Sequence, residues 1–280
     1  MGMSAFYLGI FIAMFLLVMI FGVYLQSVFG DEYGTLGIRH PTNPIVCVFE
    51  PDPSHTKNVG GVMKSSYTAI DLWKEGLAEH SPEGNWNIEA FTIPFEHHDG
   101  KNASEFPVCN ILIAFEHYNP DSSSLGYTYI DFSSSNHKYA HIVVYLYDYR
   151  AIDHYNFVLG SQEQVYKDTT EEIRPFSLTA IQNIVTHEFG HALGLGHYEI
   201  TDYPVYSKDK PWLTASVMYY SINPDDDDVG KPLYVDIKMV ERLYGEDGFG
   251  GSIAPPLKLG YYTAGDTDIF THKCSITRSR

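Results

Sequence analysis

The sequence predicts an α+β fold in which helices pack on a mixed β-sheet. Five runs rich in β-branched and aromatic residues have the length and composition of strands. A segment with apolar residues at helical spacing lies between the first two runs, and a longer one follows the fifth. One helix between early strands, followed by further strands, is typical of a mixed sheet with helices packed on it. The chain has 280 residues, 44% of them hydrophobic, which is enough for one large domain or two small ones.

The predicted strands are separated by segments that favour turns. In chain order the strands cover residues 43–50, 86–95, 109–118, 125–132 and 140–149. A segment containing proline and paired glycines ends the first strand, and a serine-rich turn separates the fourth from the fifth.

The first and third predicted helices are amphipathic segments on either side of the main motif. The first covers residues 63–78, with apolar residues near helical spacing at Met63, Tyr67, Ile70, Trp73 and Leu77. The third covers 235–244 and ends where a glycine follows at position 245.

The second predicted helix begins at Leu178, with Ser177 as its N-cap. Its apolar residues fall on one face at about 100° per residue; they are Leu178, Ile181, Val185, Phe189 and Ala192. His187 and His191 project from a different face. The helix can therefore bury its apolar side on the sheet and present two imidazoles to a cleft.

The N-terminal segment predicts a single-pass membrane anchor. No charged residue occurs from Ala5 to Phe29, and such a helix would span about 37 Å, compared with a hydrocarbon core of about 30 Å. We expect the remainder of the chain outside the cell membrane, after a connector at 31–43. The alternatives are a cleaved signal, with a secreted product starting after Gly30, and a buried helix.

Charge and cysteine content narrow the classes of partner and site. The net charge of -17, without a basic cluster, argues against nucleic-acid binding. The three cysteines form no CxxC motif, which excludes a cysteine zinc knuckle. Cys47 and Cys109 lie in apolar runs, which favours two small buried hydrophobic residues. One disulfide among these two and Cys274 is the alternative, and its pairing is open.

The segment HEFGHALGLGH, from His187 to His197, contains the main candidate site. Residues four apart on a helix are neighbours, so His187 and His191 can bind one Zn²⁺. A turn at Gly194 brings His197 in as the third ligand and leaves a fourth position for water and substrate. Glu188 is placed to take a proton from water that the zinc activates. This chemistry predicts a catalytic rather than a structural zinc site.

This segment resembles the metzincin zinc-peptidase signature, and its intervening residues are most similar to the matrixin branch. SVMYY at 216–220 resembles the methionine turn of that family, and YVDIKMVERLYG at 234–245 is similar to its closing helix. The resemblance implies a twisted, mixed five-stranded sheet, an active-site helix and a small C-terminal subdomain, with Met218 packed beneath the zinc. The implied catalytic domain covers 44–245, divided into an upper part (44–197) and a lower part (198–245), and a C-terminal tail (246–280) follows.

The sequence departs from the matrixin pattern at several positions. Tyr198 replaces the serine that often follows the third histidine. Tyr220 lies where other metzincins place a tyrosine near the zinc, so it either stabilises the oxyanion or is a packed wall residue. The connector contains no cysteine that could block the zinc. A second, structural zinc at His137 and His141 is not expected.

Two further clusters have polar side chains that can bind metals. His97, His98 and Asp99 are predicted to be solvated. The aspartates at 225–228 are compatible with Ca²⁺, although their spacing matches no known loop motif and favours a solvated turn. Beside a cleft they would favour basic substrates.

These patterns predict a zinc metalloendopeptidase that hydrolyses extracellular proteins or peptides. The substrate would bind as an extended strand along the edge strand at 125–132. A zinc-dependent binding module without turnover and a membrane-tethered structural protein are the two alternatives. The intact Glu188 argues against the first, and stoichiometric zinc would argue against the second.

Overall fold

The computed structural model describes residues 39–97, 108–118, 124–133, 136–157, 165–197, 216–219, 221–222, 230–251 and 269–278. Within this part of the chain the helices are α1 (Val59–His80), α2 (Leu178–Ala192) and α3 (Tyr234–Tyr244), with a 3₁₀ turn at Phe95–His97. The strands are β1 (Ile45–Phe49), β2 (Glu89–Ile93), β3 (Ile111–Glu116), β4 (Ser124–Ser133), β5 (Asn136–Tyr145), β6 (Tyr147–Phe157), β7 (Val165–Pro175), β8 (Ser221–Ile222) and β9 (Ile269–Arg278).

The main sheet is mixed, and the predicted α+β class is confirmed. Its strand order is β2-β1-β3-β5-β4-β9-β8. The first four strands in that order run parallel, and β4 is antiparallel to β5. The five predicted strands thus lie in one continuous sheet, which β9 and β8 extend, except that the last residues of the fifth (147–149) belong to β6. Strands β6 and β7 form a separate antiparallel pair.

Both faces of β1 and β3 are buried, which explains the continuous apolar sequences of these two strands. Val46 and Val48 of β1 belong to the main core beneath the helices. Cys47 and Phe49 belong to a smaller cluster on the opposite face. The two faces alternate along the strand because successive side chains point to opposite sides.

A disulfide joins Cys47 and Cys109, with 5.8 Å between their Cα atoms. Both residues are buried, as predicted, but the favoured interpretation as two separate hydrophobic residues is wrong. β1 and β3 are parallel neighbours, which brings Cys47 close to the residue that precedes β3 by two positions. Sequence spacing alone does not reveal that adjacency.

Helix α1 connects the sheet to α2. Its N-cap, Asn58, accepts a hydrogen bond from the Gly61 backbone N–H at 3.1 Å. Trp73 is fully buried, and its Nε1–H donates to the backbone carbonyl of Thr186 at 2.8 Å. The indole therefore fixes α1 against the middle of α2, one residue before the first histidine of the motif.

Strand β4 is not a free edge strand, which corrects our prediction for residues 125–132. It pairs with β5 on one side and antiparallel with β9 on the other. The prediction was wrong because the partner strand lies more than 130 residues further along the chain, in a segment whose sequence was ambiguous.

Within the described residues, no helix combines the length and apolar character that crossing a bilayer requires. The predicted anchor at 5–29 lies outside the described residues.

Candidate metal centre

Helix α2 carries the first two histidines of the motif and begins where the sequence predicts. The hydroxyl of Ser177 accepts a hydrogen bond from the Ala180 backbone N–H at 3.0 Å, which satisfies one of the free N–H groups of the first turn. Eleven residues of this helix are buried, including His187, Glu188 and His191. The motif is therefore held within the core rather than on an exposed helix.

His187, His191 and His197 (the histidine triad) converge through their Nε2 atoms. The three Nε2–Nε2 distances are 3.0, 3.1 and 3.2 Å. Ligands bound to zinc at about 2.0–2.1 Å in a tetrahedron lie about 3.3 Å apart. The triad can therefore hold a metal ion with little rearrangement, and its nitrogen donors are compatible with zinc.

The other ring nitrogens of the two helical histidines contact backbone carbonyls. His187 Nδ1 lies 2.6 Å from the Val217 oxygen, and His191 Nδ1 lies 2.7 Å from the Leu195 oxygen. A carbonyl only accepts hydrogen bonds, so each Nδ1 carries the proton and each Nε2 presents a lone pair. Lone pairs cannot bond to one another, but they can converge on a cation.

Burial keeps His187 neutral. Desolvation, together with the neighbouring His197, lowers the pKa of His187 to about 3, and the hydrogen bond to Val217 opposes this only in part. A neutral imidazole is the form that binds metals. The environment thus favours the protonation state that a metal site needs.

The chain reverses direction immediately after α2 and brings His197 to the other two histidines. Gly194 has a φ of 100°, a conformation that residues with a Cβ rarely adopt. Its N–H donates to the His191 carbonyl at 2.8 Å, and the Leu195 N–H donates to the Gly190 carbonyl at 3.0 Å. The turn therefore places His197 beside the last turn of the helix.

Glu188 is fully buried next to the triad and contacts the sheet through Thr128 of β4. The Thr128 hydroxyl lies 2.6 Å from Glu188 Oε2 and 3.0 Å from the backbone carbonyl of Glu188. A hydrogen bond to a carboxylate is stronger than one between neutral groups, so the hydroxyl holds the Glu188 side chain in one orientation.

Met218 packs against α2 on the side opposite the sheet. It is fully buried, and a Cβ built at Gly190 would clash with its sulfur. Its backbone N–H donates to the Ser216 hydroxyl at 3.1 Å, and that hydroxyl donates to Asp236 Oδ1 at 2.6 Å. The turn around Met218 is therefore held from below by α3.

Asp236 is a buried carboxylate beneath this turn. Its Oδ2 accepts from the Leu233 backbone N–H at 2.8 Å, at the start of α3. Burial raises the pKa of Asp236 to about 6, and hydrogen bonds from Ser216, Leu233 and Val217 oppose that rise. The same group thus caps a helix and supports the Met218 turn.

Several residues singled out in the sequence lie outside the described part of the chain. These are His98, Asp99, Tyr198, Tyr220 and the aspartates at 225–228. His97 ends the 3₁₀ turn, and His137 and His141 belong to β5. Among the described residues, the histidine triad is the cluster of metal-ligating side chains that could hold an ion.

Three contributors to the site were missed by the sequence analysis: Thr128, Asp236 and His40. The imidazole Nε2 of His40 lies 2.9 Å from the Ala192 carbonyl, at the end of α2. Each acts across 20 to 152 residues of sequence, so no local spacing marks it. The local sequence around Asp236 indicates only its role as a helix cap, three positions after the residue that precedes α3, and not its contact with Ser216.

No protein-family model matches this chain, and no curated protein is similar to it at a significant level.

Proposed function

We propose that the chain is a zinc-dependent endopeptidase, with His187, His191 and His197 as the metal ligands and Glu188 as the general base. The observation that carries this proposal is the convergence of three imidazole Nε2 atoms within 3.2 Å beside a buried carboxylate. A structural zinc site has four protein ligands and needs no neighbouring carboxylate, whereas the described residues supply three ligands and the buried Glu188.

Each residue of the site has a defined part in the proposed reaction. A zinc ion bound to the triad would act as a Lewis acid that polarises the scissile carbonyl and lowers the pKa of water. Glu188 accepts the proton of the attacking water and transfers it to the leaving amine. Thr128 holds the Glu188 carboxylate in position. Tyr220 is the candidate to donate a hydrogen bond to the developing oxyanion.

The Cys47–Cys109 disulfide supports the proposal that the domain acts outside the cell. Structural disulfides persist in oxidising compartments and are rare in the cytosol. The proposed substrates are therefore extracellular proteins or peptides, and the apolar segment at 5–29 is the proposed attachment to the membrane. Calcium binding at 225–228 remains a lesser proposal, on the basis of carboxylate ligands alone.

The test combines metal analysis with peptide cleavage, using the purified full chain and a library of quenched fluorescent peptides. We expect one zinc per chain in the wild type and in Glu188→Gln, with cleavage by the wild type alone. His191→Gln, the matched change on the same helix, should lose both zinc and cleavage. One bound zinc without cleavage by any form would identify a metal-binding module instead, and absence of stoichiometric metal would refute the site.

A further inference from the structure

Strand β9 lies in the main sheet between β4 and β8, the short strand that follows Met218. It is antiparallel to β4, with Thr128 opposite Cys274 and Tyr127 opposite Ser275. Its end is parallel to β8, with Ser221 opposite Thr277. β8 begins three residues after Met218, so β9 connects β4 to the strand that follows the Met218 turn.

The stretch of β4 that β9 covers is also the stretch that contacts the general base. Thr128 bonds to Glu188, and a Cβ added at Gly126 would lie 2.8 Å from Ile184 and 3.5 Å from the Glu188 side chain. β4 therefore rests directly on α2 at the histidine motif. β9 is next to β4 over these residues and also approaches α2 itself.

We propose that β9 occupies the peptide-binding path, by which we mean the edge of β4 along which a peptide substrate would bind. In this position β9 keeps substrates away from the site. This inference rests on the proposed function and adds to it a means of control. An extended peptide that binds beside the motif would add to β4 as a further strand. One edge of a strand offers a single row of N–H and C=O groups, and β9 already uses that row. Substrate binding and β9 pairing are thus mutually exclusive.

The control acts through competition within one molecule. A strand tethered to its own binding site competes at an effective concentration on the order of millimolar. A peptide substrate at micromolar concentration would therefore displace β9 for only a small fraction of the time, which leaves the wild type with a low basal rate of cleavage. Anything that binds or cleaves the segment containing residues 269–278 would release the path, and activity would rise without any change at the triad.

The first experiment opens the path in the full chain with His272→Pro/Lys273→Pro. Successive N–H groups of a strand point to opposite sides, so two adjacent prolines always remove one that faces β4. We expect kcat/KM for a quenched peptide to rise at least about ten-fold, with zinc content unchanged. Thr263→Pro/Ala264→Pro, outside β9, is the matched control and should behave like the wild type. Glu188-dependent cleavage that is equal in all three would overturn the proposal and leave the proposed function intact.

The second experiment tests the pairing without activity, by disulfide trapping in a Cys274→Ser background. Tyr129→Cys/Lys273→Cys places two cysteines directly opposite each other, at a separation that suits a disulfide. Tyr129→Cys/Thr271→Cys shifts one cysteine by two residues and is the control. Intact mass after alkylation should show the cross-link mainly in the first variant, which should keep its zinc but lose cleavage until it is reduced. Equal cross-linking of the two pairs would refute the pairing, whereas cross-linking in a chain that never cleaves peptides would refute the proposed function alone.

Discussion

At the scale of single residues, the contact between Thr128 and Glu188 sets the orientation of the proposed general base. The carboxylate is fully buried, so its position depends on its partners rather than on water. Thr128 lies on the sheet and Glu188 on the helix, 60 residues apart. The contact therefore exists only when the helix and the sheet are correctly packed.

Replacing Thr128 by valine tests this role. Thr128→Val keeps the shape of the side chain but removes the hydroxyl, and a lost hydrogen bond to a charged group costs about 1.5–3 kcal/mol. We expect kcat to fall by about ten-fold or more, with zinc content and KM nearly unchanged. Thr128→Ser keeps the hydroxyl and should retain most of the activity. A Val variant that loses zinc or unfolds would show a structural role instead, and metal analysis with thermal melts distinguishes the two.

His40 should make the fold sensitive to acid. Burial lowers its pKa from 6.5 to about 4, although the hydrogen bond with Ala192 opposes the shift. As the pH falls, the unfolded chain binds a proton at His40 near pH 6.5, whereas the folded chain binds it only near pH 4. The free energy of unfolding therefore decreases as the pH falls through this window. Between pH 7 and pH 4.5 the loss is about 2–3 kcal/mol. Urea unfolding should show His40→Gln losing that much less than the wild type, and equal losses would contradict the assignment.

At the scale of elements, the local sequence predicts α2 better than any other part of the site. Ser177, the apolar stripe and Gly194 specify its start, its buried face and the turn that follows, and all three signals lie within 20 residues. The β6–β7 pair was not predicted, because its sequence shows neither the two-residue alternation of a strand nor the apolar spacing of a helix, and it contains many charged residues. β9 was ambiguous because its pairing partner is remote in sequence.

The packing of Met218 against α2 leaves no room at Gly190. Alanine normally stabilises a helix by about 1 kcal/mol relative to glycine, but a Cβ here would clash with the Met218 sulfur and lie 2.9 Å from Trp73. We expect Gly190→Ala to lower the free energy of unfolding by about 1–3 kcal/mol. Gly60→Ala, on α1 with nothing within 4 Å of the added Cβ, is the matched control and should be neutral or stabilising. Denaturant unfolding of both variants measures the difference, and a stabilised Gly190→Ala would disprove the tight contact.

At the scale of the whole molecule, contacts that are remote in sequence join the elements into one site. The triad and its helix were predictable because five motif residues lie within an 11-residue segment. The support from Thr128, Asp236 and His40 was not predictable, because tertiary contacts between residues 20 to 152 positions apart leave no periodic trace. The composition of the predicted strands was enough to predict a mixed sheet. The extension of that sheet by β9 could be seen only from the pairing of β9 with β4 in the structure.

The Cys47–Cys109 disulfide should stabilise the whole domain. It closes a loop with a sequence separation of 62 residues, which limits the freedom of the unfolded chain. The double variant Cys47→Ala/Cys109→Ala should lower the free energy of unfolding by about 2–4 kcal/mol. The two cysteines belong to the small cluster on one face of the sheet, whereas α2 packs in the main core on the other face, so the zinc content of the folded variant should not change. A melting temperature equal to that of the wild type would show that the bond contributes nothing to stability.

The position of His40 has a consequence for any shortened form of the chain. Its imidazole contacts the Ala192 carbonyl, and its backbone N–H donates to the Tyr244 hydroxyl, which in turn donates to the Leu193 carbonyl. A fragment of the chain that begins at or before residue 39 keeps this fastening at the end of the histidine-bearing helix. A fragment that begins only a few residues later would lack the hydrogen bonds of His40. The stability of a shortened chain therefore depends on whether it begins before or after His40, a few residues ahead of the first strand.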